Sequence, residues 1–343
     1  MHYKSVIFFA TMLALVPDLA QAQQYRVIEL DSRTTPTTIS KGVVAGYLGS
    51  PSHAFQAINS VVADINPLGA STSGVLGRSG SESVGFVSFL GSQSAPAYWI
   101  DSVYFALPVP FDFVSGRAIA TDGKQIVGSA YEVDVEGTAT QHGLLWDRAL
   151  GTVEDLGQDA SVSAVSNGIQ VGYQFTSRGT AATMWRNTRN SAVNLHPQFA
   201  DASIATDTDG VLQLGYVGVD IRVRHEGRPR DIRFYSAGFW TGTADSFQYL
   251  FSTYRHSFAL ALCDDVIVGY GNTTDAIGTP RDSHALAWIG PNHEAVDLHS
   301  LLPSKMRTSR AVDVDESGVI IGYGVTQTGQ QRSFMWVPKG VAK

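Results

Sequence analysis

"SHALAW", Ser283–Trp288, decides the fold because the chain spells it repeatedly. Variants of the phrase stand at "SHAF" (Ser52–Phe55), "QHGLLW" (Gln141–Trp146) and "RSFMW" (Arg332–Trp336). All six tryptophans, Trp99, Trp146, Trp185, Trp240, Trp288 and Trp336, belong to one series with spacings of 47, 39, 55, 48 and 48 residues. Counting back 42 residues from Trp99, "HAFQA" places Ala57 at the Trp position and makes a seventh copy. Self-similarity at such a period is the signature of a repeat architecture.

Three further series run in phase. "VAGY", "SVGF", "IVGS", "QVGY", "QLGY", "IVGY" and "IIGY" place Gly46, Gly85, Gly128, Gly172, Gly215, Gly269 and Gly322 once per repeat. Turn residues precede that Gly ("SKG", "TDGK", "SNG", "DTDG", "DESG"), and a short apolar stretch follows the Trp ("VVADI", "TVEDL", "AVNL", "FQYL", "AVDL"). Four apolar stretches separated by Gly, Asp and Asn turns predict a four-stranded antiparallel sheet per repeat. The Gly permits close approach of another backbone, and alternation puts His284, Leu286 and Trp288 on one face of the third strand.

A unit of this size cannot bury both faces alone. Radial stacking of such units is the β-propeller, so the expectation is an all-β, seven-bladed propeller of four-stranded antiparallel blades, a single domain over residues 23–343. "SFMWVP" near the C-terminus lacks a fourth strand after it, whereas "YRVIELDS" (Tyr25–Ser32) matches the fourth-strand pattern with no triplet before it. That N-terminal strand is expected to close the last blade and remove its open edge. The tryptophans are expected to pack between neighbouring sheets, and blade 1, with Ala57 instead, to be the least well packed.

The phrase A-x-A-x-[DN]-x-x-G-x-x-V-G-[YF], followed by H-A-F-x-W and an acidic residue before Leu, resembles the HAF family of extracellular bacterial repeats. "SRAVDVDESGVIIGYG…RSFMW" and "SFALALCDDVIVGYG…SHALAWIGPNHEAVDL" are the clearest copies, and blades 1 and 2 match loosely. The resemblance implies export and a propeller-like repeat, and it implies no activity.

Export is also what the N-terminus predicts. Lys4, the apolar run Val6–Val16 and the Ala20-Gln21-Ala22 site follow the order of a signal peptide over residues 1–22, cleaved after Ala22. The run is short for a membrane span, no later segment is apolar enough for one, and a secreted or periplasmic monomer is expected. Acidic residues (31) outnumber basic ones (24), which argues against a nucleic-acid partner. Cys263, the single cysteine, lies in a strand pattern and reads as a buried small residue.

No hydrolase, zinc or phosphate-loop signature occurs. "DVDESG" (Asp313, Asp315, Glu316) and "DTDG" (Asp207, Asp209) resemble the start of a calcium loop, yet neither continues to a bidentate Glu, and Asp favours hairpin turns for its own reasons. No cofactor is expected, calcium being the weak alternative. His53, His142 and His284 stand four residues before the Trp position, in different blades, where packing or hydrogen bonding is their expected role.

The span from blade Gly to Trp measures the loop between second and third strands. It is long in blades 3, 5 and 6, at 18, 25 and 19 residues. The blade 3 insert is acidic, with Glu132, Asp134 and Glu136. That of blade 5 is basic, with Arg222, Arg224, His225, Arg228, Arg230 and Arg233, and alternation on both sides of "EGRP" predicts an extended hairpin. The polar blade 6 insert is expected to be irregular. These residues form the candidate binding rim for a protein or extracellular glycan, since loops on a rigid scaffold carry function. The expected function is a non-enzymatic binding or interaction module. The alternatives are a secreted polysaccharide lyase or hydrolase with a site in the central channel, and a periplasmic inhibitor or immunity protein.

Overall fold

The structure, a computed structural model, describes residues 25–110, 112–225 and 228–340, with the side chains of residues 224 and 225 excepted. The predicted signal segment lies outside the described residues. The described residues form seven four-stranded antiparallel sheets, each built from four strands in the predicted order. Blades 1 to 6 span residues 34–64, 70–106, 113–158, 160–194, 202–249 and 256–297. Blade 7 takes three strands from residues 306–338 and its fourth from Tyr25–Glu29. That strand pairs antiparallel with Gln331–Pro338, from Tyr25 against Pro338 to Glu29 against Phe334. Each blade packs on the next, and blade 7 packs on blade 1, so the ring is closed. It is a seven-bladed β-propeller.

The once-per-blade Gly has a sharper reason than sheet stacking. In every blade the first strand carries a bulge: Thr37, Leu76, Ile119, Ser163, Thr206, Leu260 or Val312 is the extra residue. The Gly pairs with the residue just before it. A Cβ there would fall on a main-chain carbonyl oxygen of the same blade's first strand, that of Phe258 for Gly269 and of Arg310 for Gly322. The close approach is therefore made by the partner strand, which the bulge bends inward.

The tryptophans pack as predicted. Trp99, Trp185, Trp240, Trp288 and Trp336 are fully buried, and Trp146 nearly so. Each lies against the preceding blade. In four cases the indole N–H donates to a carbonyl at the end of that blade's fourth strand: Trp99 to Ile65 (3.2 Å), Trp146 to Pro108 (2.6 Å), Trp288 to Phe251 (2.9 Å) and Trp336 to Leu298 (3.1 Å). A second set of hydrogen bonds stitches the blades together. The amides of Ala54, Ala182, Ala237 and Ala285, three residues before the Trp position, donate to Ser73, Ser203, Ser257 and Ser309 of the next blade's first strand.

The recurring histidines have partners in the fourth strand. His53 meets Asp64 at 2.8 Å, His142 meets Asp155 at 2.9 Å, and His284 meets Asp297 at 3.5 Å. In blade 7 the same two places hold Arg332 and Glu29, 3.2 Å apart, so the closing strand is joined by a cation–carboxylate pair of the same design. Where the third-strand position is Ala or Ser (Ala95, Ala181, Ser236), the fourth-strand position is not acidic (Ala106, Asn194, Tyr249). The histidine and the acidic residue of the repeat are thus two halves of one contact.

Candidate functional site

The long connections between second and third strands all emerge on one face of the ring, as their common place in the blade requires. Blade 5 carries the predicted hairpin: Gln213–His225 and Arg228–Trp240 pair without interruption out to His225 against Arg228. The blade 6 insert departs from expectation. Val266–Thr274 and Pro280–Ile289 pair out to Thr274 against Pro280, so it is a hairpin rather than an irregular loop. The reason is a D-x-x-G turn. Asp275 receives the amides of Ile277 and Thr279 on Oδ1, and Gly278 takes φ +95°. "DVEGT" at Asp134 and "DESGV" at Asp315 build the same turn, with Thr138 and Val319 donating to the leading carboxylate.

This places the acidic candidates. Asp134 caps its own turn. Glu132 approaches His142 Nε2 at 3.2 Å, and Glu136 is exposed. Asp315 is buried, with Oδ2 accepting the amide of Gly42 across the blade 7–blade 1 seam, and Asp209 accepts the amides of Val211 and Leu212. The carboxylates of the two calcium-like stretches thus hold backbone amides. Of the basic candidates, Arg222 pairs with Asp231 at 3.0 Å and Arg233 with Asp220 at 2.7 Å, both within the hairpin. Arg228 and Arg230 are exposed, and the side chains of Arg224 and His225 lie outside the described residues. No ion pair among the described residues joins the acidic insert of blade 3 to the blade 5 arginines; the hairpin neutralises two of its own.

Sequence reasoning missed a second constellation in plain view. The residue after the repeat Gly is aromatic in six blades: Tyr47, Phe86, Tyr173, Tyr216, Tyr270 and Tyr323. All six rings are half-buried. Each stands across from a first-strand residue just upstream of the bulge, toward the face with the long hairpins: Tyr47 pairs with Thr35, Tyr270 with Phe258, Tyr323 with Arg310. The ring of one blade is met by the next blade. Arg117 lies 5.4 Å over Phe86, Phe258 is edge-on to Tyr216 at 5.0 Å, and Arg310 lies 4.3 Å over Tyr270. Tyr235, from the blade 5 hairpin, completes the cluster at 5.1 Å from Phe258. Burial raises the phenol pKa of Tyr47, Tyr216 and Tyr270, so these hydroxyls stay protonated and able to donate. Between blades 4, 5 and 6 the band opens into a cavity of about 360 Å³ lined by Thr180, Ser203, Tyr216, Arg233, Tyr235 and Phe258.

The comparisons with known proteins reach the fold and stop there. The chain is similar to the tricorn protease structure at 10% identity and a TM-score of 0.53, over 90% of this chain but 35% of that one. TolB from Acinetobacter baumannii aligns over 88% of this chain and 65% of its own, at 9% identity and a TM-score of 0.44. The β-propeller domain of the Trilobed protease from Pyrococcus furiosus aligns over 92% and 94%, at 11% identity and a TM-score of 0.39. The chain thus spans about a third of the tricorn chain and about two thirds of the TolB chain. No family profile matches the chain, and no curated protein matches it.

The centre of the ring is a second concave site. Its channel, about 300 Å³ on the side of the first-to-second-strand turns, is lined by first strands of all seven blades, including Thr38, Ala120, Asp207, Cys263 and Asp313. Asp207 and Asp313 occupy the same repeat position, one past the bulge. Each sends Oδ2 to an amide of the next blade, Leu262 and Ile39 respectively, both at 2.8 Å. Their Oδ1 atoms accept the amides of Thr208 and Val314. With both oxygens of each engaged, these acids act as clips between blades. Burial, with Asp264 and other nearby carboxylates, pushes the Cys263 thiol up to about 12, leaving little thiolate for nucleophilic chemistry.

Proposed function

We propose that this chain is an exported, HAF-type β-propeller that binds an extracellular glycan carrying carboxylate or sulfate groups, and that it performs no chemistry on it. The observation that carries the reading is the aromatic band contributed by six of the seven blades, with Arg117 and Arg310 set against it. Aromatic faces are apolar platforms of negative potential that accept C–H edges of a sugar ring. Arginine forks match carboxylate and sulfate. The band runs across several blades, as a chain of sugar units requires, and a closed ring of paired strands holds it rigid. Exposed Arg228 and Arg230 at the end of the blade 5 hairpin extend the basic surface outward, where they would steer an anionic partner in a salt-dependent way. A protein partner with acidic side chains would use the same groups.

Calorimetric titration of the mature chain with uronate-containing and sulfated oligosaccharides tests this. Binding should weaken as salt rises. Tyr216→Ala and Arg310→Ala should each lower affinity by about tenfold, as expected for the loss of about 1.4 kcal/mol per contact. Binding that survives both substitutions, or that favours uncharged oligosaccharides, would refute the assignment. Loss of sugar-chain length on prolonged incubation would favour the lyase or hydrolase reading instead.

A further inference from the structure

Six seams of the ring are filled by the Trp of the later blade. In five of them that Trp lies against the residue that immediately precedes the Trp of the blade before it, as Trp146 lies against Tyr98. Trp185 shares a cluster with Leu145, Trp240 with Met184, Trp288 with Phe239 and Trp336 with Ala287. At the seventh seam, between blade 7 and blade 1, the covering residue is Ala57 and the covered one is Met335. Ala57 sits in its strand like its counterparts, paired with Val44 and Val62. Only the indole is missing.

The space it leaves is open. A cavity of about 440 Å³ lies at that seam, walled by Ile28, Leu30, Val44, Val319, Met335 and Val337. Met335 is half-buried, whereas its counterpart Met184, beneath Trp240, is 2% exposed. Leu30 ends the fourth strand of blade 7 as Ile65 and Leu298 end theirs, so its carbonyl stands where those two receive an indole N–H. The rim is polar: the exposed Arg26 of the closing strand, with Asn59 and Ser60 of the third-to-fourth-strand turn and Ser317. The cavity lies on the side of those turns, opposite the long hairpins. It is large beside the roughly 150 Å³ void that suffices to hold benzene, and within the range of ligand pockets.

We infer that this seam is a binding site for a small aromatic acid, an indole- or aryl-sized ring with one carboxylate. The ring replaces the absent tryptophan between blade 7 and blade 1, and the carboxylate meets Arg26 at the rim. The reading stands apart from the aromatic band, which lies toward the other face. It gives the closing strand a second role: Arg26, Ile28 and Leu30 all come from the closing-strand segment, so an occupied cavity also ties that segment to blade 1.

Indole-3-acetate and indole are the probes, with methyl-labelled methionine in the mature chain. Indole-3-acetate should shift the Met335 methyl resonance saturably through the ring current and leave Met184, already under an indole, in place. Ala57→Trp should abolish the Met335 response with folding intact. Arg26→Gln should weaken indole-3-acetate by about tenfold, as expected for a lost charge-assisted pair, and leave indole unchanged. Should Ala57→Trp fail to fold, Ala57→Leu, which fills part of the space, should still lower affinity. The inference is overturned if folded wild-type chain gives no saturable Met335 shift, if Met184 responds equally, or if the filled variant binds as well as wild type. Equal affinity of indole and indole-3-acetate would overturn the carboxylate's part in it.

Discussion

Replacing both channel aspartates, Asp207→Asn with Asp313→Asn, should remove the fall in stability expected of the native chain as pH rises. Burial raises the pKa of Asp207 to about 7 and of Asp313 to about 6, from an ordinary 3.8; neighbouring carboxylates add to the rise, and the amides each oxygen accepts oppose it without prevailing. A raised folded-state pKa means that the folded chain holds these protons more tightly than the unfolded one. The stabilisation is therefore complete below about pH 4 and is lost as pH climbs through about 6 to 7. At about 1.4 kcal/mol per pH unit the differences correspond to about 3–4 kcal/mol each. Both side chains are half-buried at the channel wall, and water in the channel screens them in part, so about 2 kcal/mol each is the working figure. Asparagine cannot accept both amides, which costs about 1–3 kcal/mol per site at every pH, so the double variant starts lower but runs flatter. Urea unfolding followed by tryptophan fluorescence between about pH 3 and 8 should show wild type losing about 4 kcal/mol more than the variant across that window. The depressed pKa of His299 acts with the opposite sign, stability rising with pH, and is common to both proteins. Parallel profiles would refute the assignment of the pH dependence to the clips.

Two further outcomes follow from the ring's construction. Removing Tyr25–Leu30 strips blade 7 of its fourth strand and of the Glu29–Arg332 pair, and should cost several kcal/mol and cooperative unfolding, because an unpaired edge and an uncovered sheet face remain; an unchanged calorimetric transition would contradict closure by this strand. Gly269→Ala would set a Cβ against the Phe258 carbonyl and should destabilise by about 3 kcal/mol or more, since two strands must part to admit it. A neutral result in denaturant titration would remove the bulge argument for all seven glycines.

The architecture was legible because it is periodic. Tryptophan every 39 to 55 residues, a Gly in phase with it and an orphan strand at Tyr25 specify blade count, strand order and closure without a coordinate, since a sheet that must bury both faces in a ring leaves the sequence few freedoms. Ala57 marked the weak seam for the same reason. The aromatic series after the Gly was equally visible, and was passed over because a ring beside a structural Gly reads as packing until its half-burial and the Arg117 and Arg310 stacking are seen. Side-chain pairing across non-local contacts was beyond reach. Nothing in "DIRVRHEGRPRDIRFY" states that Asp220 takes Arg233 and Asp231 takes Arg222, because hairpin register decides which charges face one another. Nor does "NTTDAIGTPRDSH" announce a paired hairpin until Asp275 is seen to gather the amides of its turn. The repeat set where every strand lies. Which acids clip blades, which arginines stay exposed and where a cavity remains were decided by neighbours far away in sequence, because burial and pairing energies belong to contacts that exist only once the ring has closed.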